Sequence, residues 1–131
     1  MPRWFEEQTD QKASWRAVQL WQILVGCAYN QQLITYGQLA EILGYDGAGV
    51  FAQLLGRIMY YCDEQKLPPL TTLVVNQDAG EPGDGLELRK RYKNVDTARM
   101  AVFAADWYGI IPPSADEYQE VWERAKEEGK Y

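Results

Sequence analysis

The chain contains no histidine among its 131 residues, and that one gap removes a whole group of chemistries. A Ser-His-Asp triad, a Cys-His dyad, a zincin helix and any imidazole-ligated metal all need a ring nitrogen that titrates near neutrality or binds a cation. Catalysis would have to rest on carboxylates, lysine, tyrosine or a thiol. Cysteine is almost as scarce. Cys27 and Cys62 stand far apart with no CxxC spacing, so neither a zinc cluster nor a disulfide framework is expected, and two free thiols are the plain reading. Long apolar runs are missing too: "LWQILVGCAY" and "MAVFAADWYGII" are too short or too interrupted to span a bilayer. The start "MPRWFEEQTD" has no signal-peptide pattern, and the expectation is a soluble, cytoplasmic protein with no membrane partner. Positive charge is in the minority, with 13 Lys and Arg against 19 Asp and Glu for a formal net charge of -6.

What is present supports a folded core. Hydrophobic residues make up 47% of the chain, with five Trp and nine Tyr, which predicts a single domain over residues 1–131. Residues 1–56 hold three basic and five acidic side chains, 57–99 hold seven of each, and 100–131 hold three basic and seven acidic. Acidity therefore gathers toward the C-terminal end. From Asp10 to Tyr29, Trp15, Val18, Trp21, Val25 and Ala28 recur at helical spacing, and Leu20, Ile23 and Leu24 widen the apolar face. Thr35, followed three residues on by Gln38, predicts a capping box that opens a short helix from Tyr36 to Leu43, stopped by Gly44. "YDGAG" makes the turn. A third helix is expected from Ala48 to Tyr61, with Val50, Phe51, Leu54, Leu55, Ile58 and Met59 toward the core and Gln53, Gly56, Arg57 and Tyr60 on the remaining face.

Past Pro68 and Pro69, "LTTLVVN" is expected as a strand, "QDAGEPGDG" as a loop and "LELRKRYK" as a second strand. Asp96 is placed to cap a fourth helix holding Met100, Val102, Phe103 and Trp107. Ser114 with Glu117 predicts another capping box before a final amphipathic helix that ends at Gly129. This order predicts a mainly α (α+β) fold: a winged helix-turn-helix core over residues 10–93 with a small β-wing, and a helical extension over 94–131.

The stretch "ITYGQLAEILGYDGAG", residues 34–49, resembles the helix-turn-helix of the O6-alkylguanine DNA alkyltransferases and alkyltransferase-like proteins. In that family a "TYGxLA" segment opens the second helix, a small-residue turn follows, and the third helix enters the minor groove. The likeness runs over roughly residues 15–86 and is most specific in "TYGQLA". In the family, "NP" and then "IPCHRVV" follow the third helix and carry the alkyl-accepting cysteine. Here "PLTTLVV" takes that place, so Thr71 falls at the cysteine and Thr72 at the histidine. A threonine hydroxyl with no base beside it is a poor nucleophile near neutral pH. At the family's third-helix arginine, which fills the space of a flipped base, this chain has Phe51 or Gln53, with Arg57 about one turn later. The resemblance implies a winged-helix scaffold and DNA binding without repair chemistry: no catalytic residue, no cofactor and no metal.

Affinity for nucleic acid comes mainly from Lys and Arg neutralising phosphates. The candidate contacts are Tyr36, Gln53 and Arg57 on the helix-turn-helix, and Arg89, Lys90, Arg91 and Lys93 in "LRKRYK". Together they would form one basic patch on an acidic body, with double-stranded DNA as the partner. A solvated strand edge, where Lys and Arg discourage pairing between molecules, explains the later four equally well. The loop acids Asp78, Glu81 and Asp84 lack EF-hand spacing, and Lys90 comes one position late for a nuclease-type Glu-x-Lys starting at Glu87, so no metal site is predicted. A wing tip set against DNA would ordinarily not be acidic. Cys62 reads as a half-buried thiol, and Trp4 and Phe5 as the aromatics most exposed. A second reading keeps the scaffold and drops the DNA: a protein-interaction module whose third or C-terminal helix meets a partner protein.

Overall fold

The structure, a computed structural model, describes residues 1–5, 11–77 and 91–129. Among the described residues five α-helices and one two-stranded sheet follow in the order α1 (Lys12–Tyr29), β1 (Ile34–Thr35), α2 (Tyr36–Leu43), α3 (Phe51–Glu64), a 3-10 turn (Leu70–Leu73), β2 (Val74–Val75), α4 (Val95–Ala104), a second 3-10 turn (Trp107–Gly109) and α5 (Ala115–Glu127). The chain is mainly helical, and its small sheet is parallel.

Apolar spacing sets the helices and their buried faces. In α1 the inner seam runs through Ser14, Ala17, Trp21, Leu24 and Ala28, with Leu20 and Val25 beside it. Trp15 lies one position round the helix at its margin, 38% exposed. The Thr35 capping box forms in full: the Gln38 amide donates to Thr35 Oγ1 at 3.1 Å, and the Thr35 amide donates to Gln38 Oε1 at 2.9 Å. Gly44 ends α2 with φ 78, a left-handed conformation that costs glycine nothing sterically. Ser114 and Glu117 build the same reciprocal cap on α5. The cap of α4 is Asn94, which accepts from the Thr97 amide at 2.8 Å. Asp96 sits in the first turn instead, where its charge still favours the positive helix end.

The expected strand over "LTTLVVN" shortens to two residues. Its first part is a 3-10 turn because the Pro69 carbonyl accepts both the Thr72 amide at 3.0 Å and the Thr72 hydroxyl at 2.9 Å, a local bond that competes with a strand ladder. What remains pairs Val74 with Ile34 and Val75 with Thr35. A parallel pair needs a crossover, and α2 with α3 supplies it. All but the first residue of the loop expected to form the wing, and "LELRK" after it, lie outside the described residues, while Arg91 to Lys93 carry no strand.

The core forms where α1, α3 and α5 pack on one another, with the Leu70–Leu73 turn set against α1, α3 and α4. Trp21 occupies the centre, edge-on to Tyr61 (centroids 5.9 Å apart) and to Trp107 (5.6 Å). Val102, Trp107, Tyr118, Val121 and Ala125 belong to this same apolar cluster. The segment read from sequence as an extension therefore supplies part of the central core. No helix among the described residues is long and apolar enough to cross a membrane.

Candidate interaction surfaces

A DNA-binding role for α3 would require its outward face to be open to solvent. Phe51, Leu54, Ile58 and Met59 face inward, as the spacing requires, whereas Val50, expected with them, precedes the helix and is 43% exposed. Gly56, Arg57 and Tyr60, expected on the open face, are buried as well. The cover is α5. A Cβ built on Gly56 would lie 2.7 Å from Trp122 Cζ3, and the Trp122 ring also meets Tyr60 at 6.1 Å between centroids. Glycine within a helix forfeits about 1 kcal/mol of propensity relative to alanine, and the Trp122 ring is the reason this one is tolerated. Gly56→Ala is expected to lower stability by about 1–2 kcal/mol despite its better propensity. Urea unfolding of the variant checks this, and a stabilised protein would mean that Trp122 readily moves aside.

Arg57 is the clearest correction to the sequence reading. It is 5% exposed, and its guanidinium is used inside the protein. Nε donates to Ser14 Oγ at 3.0 Å, Nη1 to the Gln53 carbonyl at 3.0 Å and Nη2 to Gln119 Oε1 at 3.5 Å. The Ser14 hydroxyl in turn donates to Gln119 Oε1 at 2.8 Å, and the Arg57 guanidinium carbon lies 4.5 Å from the Trp122 ring centroid. These bonds join α1, α3 and α5 through one cation whose charge is offset by oriented neutral oxygens and an aromatic face. A phosphate could reach it only by displacing α5.

Among the described residues, the other predicted contacts do not gather into one basic patch on α3. Tyr36 is half-buried, its ring 6.1 Å from that of Phe51. Gln53 is exposed in the first turn of α3. Arg91 is exposed but tied to Leu67, whose carbonyl accepts from its Nη2 at 2.7 Å. The C-terminal end of α3 lies about 16 Å along the axis from Gln53 at the usual helical rise, and Leu67 lies beyond that end. Lys93 is exposed nearby in sequence, and Arg89 and Lys90 lie outside the described residues. From Ala17 to Gly56 the chain has no Lys or Arg at all, so α2, the turn and the start of α3 display only Glu41 and Asp46 as exposed charges.

At the position where the resemblance puts an alkyl acceptor, Thr71 and Thr72 are both buried. The Thr71 hydroxyl has no hydrogen-bond partner among the described residues, and the Thr72 hydroxyl is committed to Pro69. Burial pushes the Cys62 thiol up to about 12, while its bond with the Leu70 backbone and the charge of Arg91 pull weakly the other way. Cys62 is thus more deeply buried than the sequence reading had it, and it is poorly suited to act as a thiolate. Folding keeps this proton on while the unfolded thiol loses it near pH 8.5–9, so stability falls as pH rises from about 9 toward 12, by up to about 1.4 kcal/mol per unit. In native protein at pH 8, Ellman's reagent is expected to modify Cys27 first, with Cys62 reacting only as fast as the chain unfolds. Rapid modification of both thiols would contradict the buried placement. No group of three or more His, Cys, Asp or Glu side chains among the described residues could hold a metal ion.

Several large apolar side chains remain in solvent. Trp4, Ile42 and Val50 are exposed, and Phe5 is half-buried, with the Arg16 guanidinium carbon 3.8 Å from its ring centroid. Tyr29 and Tyr108 are 74% and 67% exposed and meet each other edge-to-face at 5.7 Å. Residues so distant in sequence give no local signal of their pairing. No family model, curated protein or solved structure matches the chain.

Proposed function

We propose that the chain is a non-catalytic protein-interaction module on a winged-helix scaffold, and that it does not read duplex DNA. The observation that carries this reading is the fate of Arg57. The cation nearest to a recognition-helix role is spent on Ser14, Gln53 and Gln119, under Trp122. The stretch from Ala17 to Gly56 without a single Lys or Arg supports it further, since a surface that neutralises no phosphates releases no counterions and gains little from DNA. The exposed apolar side chains Ile42, Val50, Tyr29 and Tyr108 suit a protein partner, because such groups gain by leaving water and need no charged counterpart. The likeness to the alkyltransferase family bears on the scaffold. The acceptor cysteine that would bring its chemistry is replaced by Thr71.

Fluorescence anisotropy with a labelled duplex at low salt tests this reading, with no saturable binding expected. Isolation from its own cells in salt high enough to strip nucleic acid is expected to retain a protein in fixed stoichiometry. Saturable duplex binding that weakens linearly on a log-log salt plot, and disappears when Arg91 and Lys93 are reversed in charge, would overturn it.

A further inference from the structure

We infer that the exposed Tyr29–Tyr108 pair is a docking surface for an arginine-bearing segment of a partner protein, an inference that rests on the protein-interaction reading above. Tyr29 is the last residue of α1, and Tyr108 lies in the turn Trp107–Gly109. Each ring is mounted on an anchored neighbour. Ala28 is buried beside Tyr29. Trp107, next to Tyr108, is packed edge-on to Trp21 and donates its ring N–H to the Val102 carbonyl at 2.7 Å. Asp106 fixes the same turn by accepting the Gly109 amide at 3.1 Å. Two rigidly presented rings lose little conformational entropy when a partner covers them. Ile111, 88% exposed, and Leu33 are the exposed apolar residues close to them in sequence.

The charge of the segments that build this surface selects the occupant. Residues 17–56 and 100–123, which carry both rings, contain no Lys or Arg, and Asp106 is exposed two positions before Tyr108. An exposed aromatic pair whose turn also carries the Asp106 carboxylate, on a chain of net charge -6, complements a cation. A guanidinium fits better than an ammonium, because its flat, weakly hydrated face stacks on a ring while its edge N–H groups reach a carboxylate. Nucleic acid would also find rings to stack on, but these two segments offer no cation for its phosphates.

Amide chemical-shift mapping on the full chain tests this with three defined probes: a Gly-Ser peptide bearing spaced arginines, the same peptide with lysines, and the same peptide with glutamates. A short oligothymidylate serves as the fourth. The arginine peptide is expected to move the amides of Tyr29, Tyr108 and Ile111, the lysine peptide to bind several-fold more weakly, and the glutamate peptide and oligothymidylate not to bind there. Replacing both rings, Tyr29→Ala with Tyr108→Ala, is expected to weaken the arginine peptide roughly five- to thirty-fold, the loss of two exposed cation–π contacts. Both side chains are largely exposed, so the fold should survive the change. The inference is overturned if the arginine peptide moves only other amides, if the double variant binds it unchanged, if lysine serves as well as arginine, or if the pair is instead covered by a second copy of the chain at rising concentration. Those results leave the protein-interaction reading standing, whereas oligothymidylate binding at the pair would count against both.

Discussion

A chain cut after Ile111 is expected to lose cooperative unfolding altogether. That cut removes Tyr118, Val121 and Ala125, which lie in the same apolar cluster as Leu24, Leu54 and Ile58, and it uncovers Gly56, Arg57 and Tyr60 on α3. Tyr118 is fully buried and among the largest such side chains in the protein. Truncating one such aromatic to alanine costs about 3–5 kcal/mol, against a total stability of about 5–15 kcal/mol for an ordinary domain. Tyr118→Ala alone should therefore consume much of the margin, and loss of the whole helix should exceed it. Circular dichroism through a urea titration reads both. A truncated chain that still melts in one sharp transition would mean that α5 is an appendage, as its position after "IIPPS" first suggested. The surface ion pair between Arg124 and Glu64, bidentate at 3.0 and 2.7 Å, contributes little by comparison, about 0–1 kcal/mol for exposed groups.

The second large effect belongs to Arg57. Arg57→Ala is expected to cost about 2–4 kcal/mol, since it removes three internal hydrogen bonds, leaves the buried Ser14 oxygen without its donor and opens space against Trp122. Lysine should not rescue it. A single ammonium lacks the planar fork that serves acceptors on α1, α3 and α5 together, so Arg57→Lys should still cost about 1–3 kcal/mol. Arg91, exposed and held by one bond to Leu67, provides the contrast: its alanine variant should stay within about 0.5–1 kcal/mol of the parent. If the Arg57 variants unfolded at the same urea concentration as the parent, the network could not be what fastens α5 to α3.

Local elements were legible in the sequence because their causes are local. Thr35 with Gln38 and Ser114 with Glu117 each encode two reciprocal bonds within four residues, and Gly44 marks the end of α2 by the conformation only glycine adopts freely. The 3-10 turn was missed because β propensity says nothing about a threonine that bonds back to Pro69. The larger miss concerned α3. Periodicity assigns one buried face to an amphipathic helix, and Gln53, Gly56, Arg57 and Tyr60 fell on the other. Two signals pointed the other way: a glycine in mid-helix, and a later helix whose Tyr118, Val121 and Ala125 spacing demands a partner surface. The structure joins them by setting Trp122 over Gly56. Arg57 was misplaced for the same reason, because whether a cation faces solvent or a neighbouring helix is decided by tertiary packing.

Native-state hydrogen exchange tests the central point most directly: that α5 closes the face of α3 permanently, as part of one cooperative core. The amides of Tyr118 and Val121 are expected to exchange only through global unfolding, with the same free energy and the same denaturant dependence as those of Leu54 and Ile58. Exchange of α5 through a local opening several kcal/mol below that of α3 would contradict the account. It would make the helix a detachable cover, with Arg57 and Tyr60 available beneath it.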